Sequence, residues 1–365
     1  MNRRRALTGG RRAAVAAVAV LPILVATAGP ASAHTVAGVA ATDYRSWLLE
    51  ISPGTPGLEV TLLDLGRRIR VSNRTGSTFV VVGYSGEPYL RIGPHGVDEN
   101  LRSPATYQNR VTPAGTTPTT LPAIADAHAE PAWRRVSGGT SAVWRDRRTR
   151  WEGPAPQEVR SSPGRAVPVS DWFIELDRGD GTAVVLQGRI TFVPAPSAWP
   201  WLVLAATLAA LAVAAGLARR WGALLSCGLA VLVATDVARN VGGAAARGGS
   251  VGAQVARLLG TSMVPMVLWV VAALAMRPLE RSKEAGLIGA GIAALGIGVY
   301  SGVSDIPNLF RSQEPVAFAP ALARLAVAVS LGLGIGITAA VFLRERRFDR
   351  GEGRRSVTRG AHVTP

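Results

Sequence analysis

The sequence predicts an exported all-β domain, an immunoglobulin-like sandwich, followed by an α-helical transmembrane bundle of about five helices. Three observations predict this fold class. The first residues resemble a signal peptide, residues 34–198 contain short runs of β-branched and aromatic residues, and residues 199–343 contain long apolar segments. Of the 365 residues, 48% are hydrophobic. The mean hydropathy of +0.23 is unusual for a soluble domain and therefore favours membrane segments.

Residues 1–33 have the composition of a targeting segment. Arginines precede a short apolar stretch, and small residues at Ala31 and Ala33 stand at the cleavage positions. We therefore expect cleavage after Ala33, which makes His34 the mature N-terminus. The arginines near the start also fit a twin-arginine signal loosely, so secretory and twin-arginine export both stay open.

Residues 34–198 predict an extracytoplasmic β-rich domain. Turn residues separate runs of strand-forming residues at 47–51, 58–65, 68–72, 78–83, 89–92, 172–177 and 183–193. Between residues 103 and 131 the chain is rich in Pro, Thr and Ala without periodicity, which indicates a long loop. The chain has one cysteine, so no intrachain disulfide can form and the hydrophobic core must stabilise this domain.

Five apolar segments are near the roughly 20 residues that a helix needs to cross a bilayer. They are residues 199–218, 221–238, 258–276, 285–303 and 316–343, and a basic tail follows at 344–365. Gly298/Gly302 and Gly332/Gly336 have the spacing of close helix contacts.

The distribution of basic residues predicts the orientation. If residues 34–198 are outside, twelve basic residues lie in the inner segments and four in the outer loops. This satisfies the positive-inside rule and predicts a multi-pass protein of the cell membrane with a cytoplasmic C-terminus. The net charge of +16 is then explained by topology, so the lipid bilayer is the expected partner and nucleic acid is not. A second envelope protein as partner stays open.

Two segments carry a family resemblance. Residues 84–94 read YSGEPYLRIGP and continue through ENLRSPATY at 99–107, and residues 144–151 read WRDRRTRW. The chain resembles a family of uncharacterised actinobacterial membrane proteins with a signal peptide, a β domain and a multi-helix membrane part. The resemblance implies a histidine at the mature N-terminus and histidines in the second segment, similar to periplasmic copper-binding proteins. Copper is therefore the cofactor to consider.

This chain departs from that pattern. His34 is present, but Arg145, Arg147 and Arg150 stand where the resemblance implies histidines. Arginine does not deprotonate in proteins and cannot replace imidazole as a metal ligand. The metal candidates are therefore His34 and, as further ligands, His95 and His128.

Two other groups of residues are candidates for function. Arginine beside tryptophan can bind an anionic lipid headgroup or an acidic loop of a partner, although a solvated strand with internal pairing of Asp146 is the simpler interpretation. The surface candidates are Trp144, Arg145, Arg147, Arg150 and Trp151. Inside the membrane segments the soft ligands are Cys227, Met263 and Met266, and the ionisable groups are Asp236 and Arg324. Packing and snorkelling are the competing explanations for these five residues.

The chain contains no phosphate-binding Gly-Lys-Ser/Thr loop, no His-Glu-x-x-His motif and no Gly-x-Ser-x-Gly motif, so we expect a protein that is not an enzyme. The first hypothesis is an envelope protein whose exported domain binds a ligand or partner, with a link to copper handling. The alternatives are a transporter or channel component and a structural or assembly factor.

Overall fold

The computed structural model describes residues 39–110, 120–281 and 283–360. The chain divides into two compact units, one formed by residues 42–195 and one that contains the helical region from residue 196 onward. The predicted signal peptide and His34 lie outside the described residues.

The first unit is an antiparallel β domain. Its described strands are β1 Tyr44–Ser52, β2 Leu58–Leu63, β3 Arg68–Asn73, β4 Phe79–Val82, β5 Pro88–Gly93, β6 Gly96–Asn100, β7 Trp133–Ser137, β8 Ser141–Arg145, β9 Val167–Asp177 and β10 Ala183–Phe192. One sheet has the order β1-β10-β9-β4-β5-β6-β7 and the other β2-β3-β8. Short helices α1 (Pro104–Gln108) and α2 (Gln157–Ser161) lie in the connections. The predicted β region is confirmed, and its immunoglobulin-like form stays a prediction.

The two sheets share one hydrophobic core because the strands alternate between buried and exposed residues. In β3, Ile69 and Val71 are buried, and β9 buries Trp172 and Ile174 in the same way. These side chains belong to one cluster with Trp144 from β8. Each fully buried apolar side chain of this size stabilises the fold by about 1.5–3 kcal/mol, which provides stability without a disulfide.

The second unit is helical. Its described helices are α3 Trp199–Leu217, α4 Trp221–Ala246, α5 Val251–Thr261, α6 Met263–Glu280, α7 Glu284–Ile297 and α8 Pro320–Gly360. A π-helical turn at Gly298–Val303 and a 3-10 turn at Ile306–Phe310 follow α7. Five segments are long and apolar enough to cross a membrane: Trp199–Leu217, Trp221–Ala246, Met263–Glu280, Ala285–Phe310 and Pro320–Arg346. The prediction of about five apolar helices is confirmed.

The helix bounds differ from the expected spans at two places. Helix α4 continues to Ala246 instead of ending at residue 238, so Arg239 is a buried helical residue and not part of a loop. The expected third span began at Leu258, but this residue belongs to α5, and the apolar helix begins at Met263. Charged residues interrupt the apolar pattern of α4 in the sequence, which predicts that the span ends there. In the structure these residues pair with groups of neighbouring helices, so the helix continues past them.

Helix α5 differs from the five apolar segments because it is short and has no buried residue. The Oγ of Ser250 caps it by accepting a hydrogen bond from the backbone N of Ala253, at 3.3 Å. Val251, Val255 and Leu259 follow one another at helical spacing and are all exposed. Such a one-sided apolar stripe is typical of a helix that lies at a membrane interface.

Candidate functional site

The β domain contains a cleft of about 350 Å³ with a strongly basic lining. Three arginines line it: Arg67, Arg145 and Arg150. Two aromatic rings, those of Tyr44 and Trp151, form part of the wall, with their centroids 6.2 Å apart. The cleft therefore combines several guanidinium donors with an aromatic surface. We call it the arginine cleft.

The turn before β3 places Arg67 in the arginine cleft. Leu65 has a positive φ of 59°, which is uncommon for a branched residue, and Gly66 has a φ of 85°. A Cβ at Gly66 would lie 2.6 Å from the carbonyl oxygen of Thr149, so only glycine fits. The Thr149 hydroxyl donates to the Gly66 carbonyl at 2.6 Å. This contact fixes the turn against the segment that carries Arg150.

Asp146 positions the other two arginines. Its buried carboxylate accepts hydrogen bonds from the Trp144 indole at 3.0 Å and from the Arg148 backbone N at 3.0 Å. It also forms an ion pair with the Arg148 guanidinium at 2.8 Å. The chain turns at Asp146 after β8 ends, so Arg145 and Arg150 line the same cleft although five positions separate them in the sequence.

The electrostatics of the arginine cleft favour an anion. Burial, and after it the charge of Arg150, lowers the pKa of Arg67. Burial, and after it the charges of Arg150 and Arg67, lowers the pKa of Arg145. No carboxylate of the described residues lies within ion-pair distance of Arg67 or Arg145. Of these three arginines, only Arg150 has an acidic partner among the described residues, Glu152. The Nε atom of Arg150 is buried without a hydrogen-bond partner.

The structure brings some of the predicted surface residues together and separates others. Arg145, Arg150 and Trp151 come together, whereas Arg147 is exposed and forms an ion pair with Glu152 at 3.4 Å. Trp144 is not a surface residue, because it is 5% exposed and packs in the core. The interpretation of residues 144–151 as one strand needs correction, since β8 ends at Arg145.

Arg67 and Tyr44 are cleft residues that the sequence patterns do not indicate. Both lie far from the Trp144–Trp151 segment in the sequence and reach the arginine cleft only through the fold. The one local indication is the pair Gly66-Arg67 between two predicted strands, which is typical of a turn and not of ligand contacts.

The predicted metal ligands do not form a site in the part of the chain that the structure describes. His95 and His128 are both exposed. No group of three or more His, Cys, Asp or Glu side chains that could hold a metal ion occurs among the described residues. Copper binding through His34 stays a prediction, because His34 lies outside the described residues.

A second polar site is buried in the helical unit around Arg239 of α4. Its guanidinium lies 2.6 Å from Asp305 and 3.7 Å from Glu314, and it donates to the Ala323 carbonyl at 3.0 Å. Arg239 and Asp305 are each about 1% exposed. Breaking such a buried pair by removing one partner leaves an uncompensated charge, which costs about 3–5 kcal/mol.

The two predicted ionisable groups, Asp236 and Arg324, lie in the same region but do not pair with each other. Asp236 is fully buried and accepts a hydrogen bond from the Trp269 indole at 2.6 Å. Arg324 donates to the carbonyl oxygens of Arg311 and Ser312, at 2.5 and 3.2 Å. At 5% exposure Arg324 is a buried residue, so snorkelling to the surface does not explain it.

We refer to five residues as the buried charge network: Asp236, Arg239, Asp305, Glu314 and Arg324. Asp236 and Arg324 are the two members that the sequence indicates, as ionisable residues in apolar segments. Arg239 follows Asp236 by three positions, a spacing that places both on one face of a helix and is visible in the sequence. Asp305 and Glu314 lie near the connection between two spans, where acidic residues are ordinary, and only the structure shows that they are buried.

The soft ligands predicted in the membrane segments do not assemble. Ser226 of α4 bonds to Glu280 at the end of α6, and Asn240 of α4 bonds to Ser262 at its beginning. The two helices are therefore antiparallel. Cys227 lies near one end of this pair, while Met263 and Met266 lie near the other.

A β domain with a basic cleft, followed by five apolar helices with a buried charge network, defines a multi-pass membrane protein with two separate polar sites. Comparison of the chain with protein-family models, with curated proteins and with solved structures finds no match.

Proposed function

We propose that this protein is a membrane-anchored binding protein whose β domain takes a phosphate-bearing ligand in the arginine cleft. The observation that carries the proposal is the convergence of Arg67, Arg145 and Arg150 with one acidic partner, Glu152, among the described residues. Like charges that lie close together in a partly buried site repel each other, and a bound dianion relieves this repulsion.

Guanidinium groups suit phosphate because their N–H donors form a planar fork that matches two oxygens at once. The Tyr44 and Trp151 rings provide an apolar wall for the rest of a ligand, as is common in small-molecule sites. Glu152 is 44% exposed and pairs with Arg150, so its carboxylate competes with an incoming anion. The phosphate can belong to a soluble ester or to a lipid headgroup.

The test uses the full-length protein purified in detergent and titrated calorimetrically with inorganic phosphate. Arg145→Ala should weaken binding at least about tenfold, since a charged hydrogen bond contributes about 1.5–3 kcal/mol. Glu152→Gln should strengthen binding by removing the competing carboxylate. Arg134→Ala is the matched control, because Arg134 is an exposed arginine of the same domain that pairs with Glu99 outside the cleft.

A second arm separates the two sources of phosphate. The protein in detergent-free nanodiscs of neutral lipid is mixed with vesicles of phosphatidylcholine, with and without phosphatidylglycerol. Arg145-dependent binding to the anionic vesicles alone indicates a headgroup, and Arg145-dependent binding of free phosphate indicates a soluble ligand. Equal binding by wild type and Arg145→Ala in both arms, or binding in neither, would overturn the proposal.

The setting of this function also remains a proposal. We infer that residues 1–33 are removed after Ala33, that the β domain is an extracytoplasmic immunoglobulin-like sandwich, and that the basic tail is cytoplasmic. The asymmetry of basic residues supports the orientation: the predicted inner segments have twelve, and the outer loops have three once Arg239 is assigned to α4. The five apolar helices support anchoring in a bilayer.

A further inference from the structure

The buried charge network contains one more acid than base. Its carboxyl groups belong to Asp236, Asp305 and Glu314, and its guanidinium groups belong to Arg239 and Arg324. All five side chains belong to residues that are at most 5% exposed. An uncompensated ionised carboxylate in such a place carries a large desolvation penalty, so the group binds a proton instead.

The hydrogen bonds show which carboxyl groups are available. Asp305 lies 2.6 Å from Arg239 and accepts a hydrogen bond from the Asn308 side chain at 3.1 Å. In contrast, both carboxyl oxygens of Glu314 are buried without a hydrogen-bond partner in the described structure. The Oδ1 atom of Asp236 is also buried without one, although the Ser301 side chain interacts with this carboxyl group. Asp305 is therefore the ionised partner of Arg239, and the other two carboxyl groups are under-satisfied as anions.

We propose that the buried charge network is a proton-binding site that holds one proton near neutral pH, carried by either Asp236 or Glu314. With one proton bound, two carboxylates face two guanidinium groups and the network is neutral. When the proton leaves, a third buried carboxylate appears, so occupancy of this site changes the charge inside the helical unit.

The surroundings support this assignment. Trp269 of α6 donates to Asp236, which keeps that carboxyl group in place in either protonation state. Tyr300 of the π-helical turn is a further titratable group that faces the acids. Glu314 lies between the fourth and fifth spans, where burial raises its pKa to about 7 against the opposing charges of Arg239 and Arg324. The proton can therefore bind either to Glu314, in the connection between the two spans, or to Asp236, within α4.

The experiment measures the carboxyl C=O band of the full-length protein in nanodiscs by infrared difference spectroscopy during a pH titration. Wild type should show one protonated buried carboxyl at pH 6 that is lost as the pH rises past neutrality. Asp236→Asn and Glu314→Gln should each abolish this band, because either change leaves two acids facing two bases. Asp171→Asn, which neutralises an exposed acid of the β domain, should leave the band intact.

Three results would overturn the proposal. The first is the absence of a protonated carboxyl band in wild type at pH 6. The second is a band that persists in both single variants, which would place the proton outside the network. The third is a band that is present in choline chloride and absent in sodium chloride at equal ionic strength, which would show that sodium and not a proton occupies the site whenever sodium is present.

Discussion

At the residue scale, both polar sites depend on buried charged groups whose hydrogen bonds and ion pairs are made with neighbouring protein groups. Asp146 is completely buried because the Trp144 indole and the Arg148 guanidinium satisfy its oxygens. Arg239 is almost as buried because Asp305 and the Ala323 carbonyl accept from it. Burial without a hydrogen-bond partner raises the pKa of Glu314, and burial beside Arg150 lowers the pKa of Arg67. Both residues belong to the sites that we assign to function.

Glu314→Gln should change the pH dependence of stability. Burial raises the pKa of Glu314 to about 7, so its proton stabilises the native state fully below the ordinary value near 4.5. This contribution is lost as the pH rises through about 7. Wild type should therefore lose up to about 3 kcal/mol relative to Glu314→Gln between pH 4.5 and pH 8. Thermal unfolding of both proteins in detergent at each pH measures the difference.

Glu158→Gln serves as the control for this measurement, because Glu158 is an exposed residue of the β domain. Its unfolding temperature should follow that of wild type at both pH values. A Glu314→Gln variant that also follows wild type at both pH values would contradict the buried, protonatable carboxyl.

At the element scale, helices approach each other closely where glycines lie between them. Gly336 of α8 faces Ala209 of α3, where an added Cβ would lie 2.6 Å from the Ala209 carbonyl oxygen. Gly298 of the π-helical turn faces Gly334 of α8 in the same manner. Helices in a bilayer associate through such small-residue contacts because lipid removes the hydrophobic advantage of large side chains.

Gly332→Ala should destabilise the bundle. The new Cβ would lie 2.5 Å from the carbonyl oxygen of Ala205 in α3, and a backbone atom cannot move aside as a flexible side chain can. We expect a loss of about 1–3 kcal/mol. Gly260→Ala in α5 is the matched control, because nothing lies within 4 Å of its new Cβ. That variant should be neutral or slightly stabilised, since alanine favours a helix over glycine.

Unfolding of the two variants in detergent, followed by circular dichroism, provides the measurement. If Gly332→Ala and Gly260→Ala were equally stable, the close contact between α3 and α8 would not be present in solution.

At the scale of the whole molecule, a β domain and a helical unit provide two chemically different polar sites. The arginine cleft is open and carries excess positive charge, which suits an anion from the surrounding solution or a lipid surface. The buried charge network is closed and carries an excess acid, which suits a proton. The two proposals are independent, because no residue belongs to both sites.

The orientation of the chain is testable with reporter fusions. If the β domain is exported, as we propose, and all five apolar segments cross the membrane, residue 365 is expected in the cytoplasm. Green fluorescent protein fused there should fluoresce, and alkaline phosphatase fused there should be inactive. Fusions in the connection at residues 247–250 should give the opposite pattern. An active phosphatase at the C-terminus would mean that one of the five segments does not cross the membrane.

The sequence by itself determined the order of the two structural classes and the number of apolar helices. Alternating β-branched runs and long apolar segments are local patterns, and the structure confirms what they predict. The sequence also indicated three residues of the arginine cleft, Arg145, Arg150 and Trp151, because they lie in one short segment.

Only the tertiary structure decided which charged residues act together. Arg67 joins Arg145 because the turn before β3 is bonded to Thr149, and Arg239 joins Asp305 because α4 packs beside the end of the fourth span. Only the tertiary structure decided burial as well. Trp144 lies in the core and Arg324 is buried, although the sequence predicts both near a surface. Pairing and desolvation depend on distances between segments remote in sequence, and local patterns carry no information about those distances.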